Sequence, residues 1–122
     1  MPSHSTTVFN CNTAAQAITV VFVLMILAGT LLPANELPKV ETGDKAIHLI
    51  AFAILALPLN MVVRQRWLLL NLTFIVFGGA IEIIQPFVGR HGEWLDFGAD
   101  TLGVLAGVIA ASGLRILTSR DD

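Results

Sequence analysis

Residues 67–85 read WLLLNLTFIVFGGAIEIIQ, an apolar run whose only charged residue is Glu82. A run of about 20 residues is what an α-helix needs to cross roughly 30 Å of hydrocarbon. A strand fails there, because an open sheet edge leaves backbone donors and acceptors unsatisfied in lipid. Working outward, Pro86 stops the run and GRHGEW follows as a loop. A further apolar run covers residues 95–117, and TSRDD closes the chain. Upstream, Arg64, Gln65 and Arg66 make a short turn after a run at 45–63, in which Pro58 predicts a kink. Before it lie the polar loop ANELPKVETG, Pro33, and the run at 14–32, AAQAITVVFVLMILAGTLL. Met1 to Thr13 reads as polar and loose.

The pattern predicts an all-α polytopic membrane protein: four transmembrane helices in a compact bundle, with no second domain. Composition agrees, since 55% of the 122 residues are hydrophobic and 13% charged, with mean hydropathy +0.77, too few polar groups to cover a soluble domain. A net charge of -2 excludes the basic patch that nucleic acid requires. Cys11 is the only cysteine, which excludes an internal disulfide and a cysteine-based metal cluster. The first run reads as a retained span, because it is long and no Lys or Arg precedes it, unlike a cleaved signal.

Four crossings put both termini on one side. That side carries Arg64, Arg66, Arg115 and Arg120, against Lys39, Lys45 and Arg90 on the other. The positive-inside rule therefore predicts cytoplasmic termini in an inner (cytoplasmic) membrane. The acids divide differently: only Asp121 and Asp122 lie on the terminal side, and all the others lie toward the opposite face.

Ionisable groups from three helices gather at that opposite face. Helix two begins DKAIH, which sets Asp44 and His48 one turn apart with Lys45 beside them. On helix three, Gly78, Glu82 and Gln85 share one side, as do Asp96, Asp100, Gly103 and Gly107 on helix four. Arg90 and His91 lie in the loop between these two helices. Helix two starts, helix three ends and helix four starts at this face, so topology alone brings the groups together.

A carboxylate inside the bilayer costs a few kcal/mol, so Glu82 is expected to face protein. Several neighbours have simpler roles open to them. Asp44 and Asp96 suit helix N-caps, and the same helix starts suit a phosphate or another anion. Lys45 and Arg90 suit snorkelling, and Trp67 and Trp94 suit interfacial anchoring. A lone His48 suits a hydrogen-bonded packing role. The Gly103–Gly107 spacing fits close helix packing, within the chain or between chains.

DKAIHLIAF, GAIEIIQPFVGR and DFGADTLGVLAG, in this order on successive helices, resemble the VanZ-like family over residues 44–107. The matching positions are Asp44, Lys45, His48, Phe52, Glu82, Gln85, Arg90, Asp96, Gly103 and Gly107. At Asp100 the family usually carries Asn, so this site has an additional acid. The family is named for a membrane protein linked to low-level teicoplanin resistance, and no reaction is assigned to it. The resemblance implies a place in the cell envelope and a role in glycopeptide susceptibility.

Three functions fit these residues. In the first, the cluster of Asp44, Lys45, His48, Glu82, Gln85, Arg90, Asp96 and Asp100 binds an envelope lipid or lipid-linked phosphate. Lys45 and Arg90 would hold the head group, and Glu82 or His48 would be the acid or base of any chemistry. Acidic residues plus His48 could hold a hard divalent cation, but His48 with Glu82 lacks diagnostic metal-ligand spacing and no nucleophile motif or cofactor fingerprint appears, so no metal or cofactor is assigned. In the second, the chain is a non-catalytic small subunit or scaffold, bound to a membrane-protein partner or to its own copies. The third, a proton or ion path, is disfavoured because the inner halves of the helices read as apolar. Orientation is tested by cysteines placed singly at Glu93 and Gln65 in a Cys11→Ser background and labelled from outside. Modification at Glu93 alone is expected, and modification at Gln65 alone would reverse the topology.

Overall fold

The computed structural model describes residues 4–32 and 44–119, with side chains described at 11–32 and 45–118. Four helices follow one another: α1 (His4–Leu31), α2 (Asp44–Val62), α3 (Trp67–Ile84) and α4 (Trp94–Ser119). A 3-10 turn, Gln85–Val88, extends α3 and ends at Gly89, whose φ of 77° lies in the left-handed region that glycine adopts without a Cβ clash. Each of the four helices contains a segment long and apolar enough to cross a membrane: Cys11–Leu31, Lys45–Val62, Trp67–Val88 and Trp94–Thr118. The chain is thus a multi-pass membrane protein by length and composition, all-α among its described residues.

The helix limits match the apolar runs at three of four starts to within a residue. The exception is α1, which begins at His4, so most of the segment expected to be loose is helical. Once the apolar segment has nucleated a helix, each added residue gains a hydrogen bond at little further entropic loss, and polarity alone does not stop that growth. Pro58 stands inside α2, and the helix continues through it to Val62.

α2 is the centre of the bundle. It packs most extensively against α4 and takes α1 on another side, while α1 makes no contact with α4 among the described residues. The α2–α4 contact is set by missing side chains. A methyl group on Gly107 would stand 2.7 Å from the Ala53 carbonyl oxygen and 2.8 Å from Ala56 Cβ. One on Gly103 would collide with the Leu49 carbonyl oxygen and stand 2.9 Å from Phe52 Cβ. Small residues let the two backbones touch, and in lipid, packing of this kind replaces the hydrophobic drive between helices. The glycine pair therefore serves packing within the chain. Phe52, Leu55, Ala56 and Val104 fill the core around it, with Phe74 and Ile81 of α3 and Ile26 of α1 closing the sides.

The end of the bundle at the α2–α3 turn is not wholly apolar, contrary to the reading of the inner helix halves. Asn60 and Asn71 are both buried and exchange two hydrogen bonds, each amide nitrogen donating to the other's oxygen at 2.8 Å. Each nitrogen also donates to the carbonyl one turn earlier in its own helix, Ala56 or Trp67. A polar pair that satisfies itself is tolerable in lipid, and it clasps α2 to α3. Asn60→Leu or Asn71→Leu alone leaves a buried amide unmatched and should lower stability by about 1–3 kcal/mol. The double substitution should cost less than the two singles summed. Unfolding of the four proteins in detergent, read as a double-mutant cycle, checks this.

Candidate functional site

The opposite end of the bundle gathers the C-terminal ends of α1 and α3 and the N-terminal ends of α2 and α4. There the opening turns of α2 and α4 lie side by side, just ahead of the glycine contact. His48 of α2 reaches Asp100 of α4, with Nδ1 2.8 Å from Asp100 Oδ1. Asp100 is fully buried, and the His48 side chain is 11% exposed. With Asp100 ionised, Nδ1 carries the proton and donates it, which fixes the ring and leaves Nε2 as a lone-pair donor. Nε2 lies 4.0 Å from Asp96 Oδ2, one turn earlier on α4.

α3 supplies the third wall. A methyl group on Gly78 would stand 3.0 Å from Asp100 Oδ2 and 3.3 Å from the Phe52 ring, so this glycine makes room for the carboxylate. Glu82 follows one turn later on the same side of α3 and is buried, 5% exposed. Its Oε2 accepts a hydrogen bond of 2.9 Å from the Glu93 backbone N–H, immediately before α4 begins. The loop between α3 and α4 is therefore folded back onto its own helix end. Glu93 then extends its side chain to Lys45, with Oε2 3.1 Å from Nζ, while Asp96 Oδ1 lies 3.9 Å from the same nitrogen.

Lys45, His48, Glu82, Asp96 and Asp100 are thus brought together as the sequence suggested. Gln85 and Arg90 turn elsewhere. Gln85 Nε2 donates to the Thr30 carbonyl at 3.3 Å, and Arg90 Nη1 donates to the carbonyls of Gly29 and Leu32, both at 3.2 Å. Gly29 and Thr30 lie in the last turn of α1 and Leu32 just past it, where carbonyls lack partners within the helix, and a cation there also complements the helix dipole. Both residues fasten α1 to the rim of the site. Asp44 opens α2, and its side chain lies outside the described residues, as do Lys39 and Arg120 of the orientation count. Trp67 and Trp94 are exposed near helix ends, as interfacial anchors are, and Trp94 sets its ring edge-on to Phe97 at 6.2 Å.

Glu93 was not singled out from the sequence. A loop glutamate has no pattern of its own, and only its dual contact, backbone to Glu82 and side chain to Lys45, marks it. Thr30 was missed for the same reason, since it contributes a carbonyl and not its hydroxyl.

Two openings reach this end. A recess of about 210 Å³ is lined by Glu82, Ile83, Pro86, Gly92, Glu93 and Trp94. An apolar groove of about 690 Å³ runs between α2 and α4 from Lys45 past Leu49, Leu95, Phe97 and Leu102. Chemically, the site offers a fixed imidazole, buried carboxylates and one half-exposed ammonium, in an apolar frame. Fold and site together define a small four-helix membrane-spanning protein with an acidic, histidine-bearing cluster at one end. No family model, curated protein or solved structure matches the chain.

Proposed function

We propose that this protein binds an anionic envelope lipid or lipid-linked phosphate at the end of the bundle that carries the polar cluster. The observation that carries this reading is the groove between α2 and α4, with an apolar floor and Lys45 at its mouth. A lipid laid there places an acyl or prenyl chain along Leu49, Leu95 and Leu102 and its phosphate beside the lysine, which is 51% exposed. A lysine whose stem lies on apolar surface and whose ammonium stays wet suits a head group at the membrane interface. Arg90 Nη1 donates to carbonyls at the end of α1, whereas Lys45 lines the groove itself and is the cation placed beside a bound head group. The site is taken to face the extracytoplasmic side, and the VanZ-like resemblance extends the proposal to a role in teicoplanin susceptibility.

The scaffold reading loses the face it rested on, since Gly103 and Gly107 are buried against α2. His48, held by Asp100 with Nε2 free to take a proton, and Glu82 remain the groups suited to acid–base work on a bound head group. Native mass spectrometry of protein extracted in mild detergent tests the lipid. Wild type should carry a discrete adduct of phospholipid or lipid-linked phosphate mass, and Lys45→Glu should lose it. Equal lipid occupancy in the two proteins would sink the proposal.

A further inference from the structure

We infer that His48, Glu82 and Asp100 form a binding site for one divalent cation. The three residues come from three different helices, yet one histidine nitrogen and one oxygen from each carboxylate lie within 4.8 Å of one another. Ligands on opposite sides of an ion held at about 2.1–2.4 Å stand about 4.2–4.8 Å apart, so the spread suits a single ion.

The second observation is the state of the carboxylates. Asp100 is fully buried and Glu82 is 5% exposed, and each leaves one oxygen, Oδ2 and Oε1, without a hydrogen-bond partner. Each carboxylate's other oxygen is already used, by His48 Nδ1 and by the Glu93 N–H. Desolvated acceptors of this kind are costly unless something positive meets them. The Lys45 ammonium is half-exposed and lies with Glu93 and Asp96. A divalent cation at the centre would answer the unmatched oxygens together and balance the surplus of acid over base.

The surroundings fit as well. His48 Nδ1 and Asp100 Oδ1 stand 2.8 Å apart, a separation that two neighbouring ligands of one ion adopt, so a cation that takes the place of the shared proton meets both. Glu82 borders the recess of about 210 Å³, whose other walls include the exposed Gly92, Glu93 and Trp94, which gives a hydrated ion an access route. Two carboxylates with one imidazole suit Mn²⁺ or Zn²⁺ better than a soft ion. The site stands on this geometry whether or not a lipid binds. Where one does, the ion adds a positive charge on the cluster side of Lys45.

The test is Mn²⁺ titration of the purified, metal-stripped protein in neutral detergent without added lipid, followed by electron paramagnetic resonance. Wild type should take up one equivalent and show spin-echo modulation from a coordinated imidazole nitrogen. Asp100→Asn, which keeps the side chain's size and its hydrogen-bond acceptor for His48, should weaken binding about tenfold or more. Wild type that binds no Mn²⁺, or that binds it without imidazole nitrogen, overturns the site, and so does equal affinity in Asp100→Asn. Because lipid is left out, failure here leaves the Lys45→Glu comparison standing, and the reverse holds too.

Discussion

Everything at the polar end depends on how closely α4 approaches α2. Gly103 and Gly107 let the α4 backbone rest on the carbonyls of Leu49 and Ala53. That contact lies one turn beyond the His48–Asp100 pair, so its spacing sets the reach between imidazole and carboxylate. A wider separation would leave a fully buried aspartate facing hydrocarbon. The same logic recurs on α3, where Gly78 makes way for Asp100 and lets Glu82 take its place in the wall.

The bundle is polar at both ends in different ways. The Asn60–Asn71 clasp satisfies itself and asks for nothing more. The acidic end does not close on itself, since Glu82 and Asp100 each retain an unmatched oxygen. A polar network left incomplete in a low-dielectric setting is strained until a partner arrives, and such networks mark function more often than packing does. Gln85 and Arg90 belong to neither network. They hold the end of α1 against the rim, so this helix, which never touches α4 among the described residues, is still anchored beside the site.

Much of this was legible in the sequence. Four apolar runs fixed the helix count, because lipid permits few alternatives to a helix and hydropathy reports it directly. Convergence of Lys45, His48, Glu82, Asp96 and Asp100 followed from antiparallel topology and helical period alone. Less visible were contacts made by groups with no periodic signature: the Glu93 backbone on Glu82, Arg90 on the last carbonyls of α1, and the exchange between Asn60 and Asn71. The asparagines sit inside apolar runs, and nothing in their linear spacing marks the pairing across the α2–α3 turn. The start of α1 was missed because polarity marks where a span ends and does not mark where a helix does. The cation ligands were likewise individually visible, but their three-way meeting has no linear spacing.

The dependence of the site on the glycine contact can be measured directly by zero-length carbodiimide cross-linking in membranes. Lys45 and Glu93 are half-exposed, with their charged atoms 3.1 Å apart. Wild type should yield an amide between these two residues within one chain, detected in monomer-sized protein by peptide mass. Gly103→Leu, which forces α4 away from α2, should lose most of that product. Absence of the intrachain link in wild type, or an undiminished yield in Gly103→Leu, would contradict the view that α2–α4 packing builds the site.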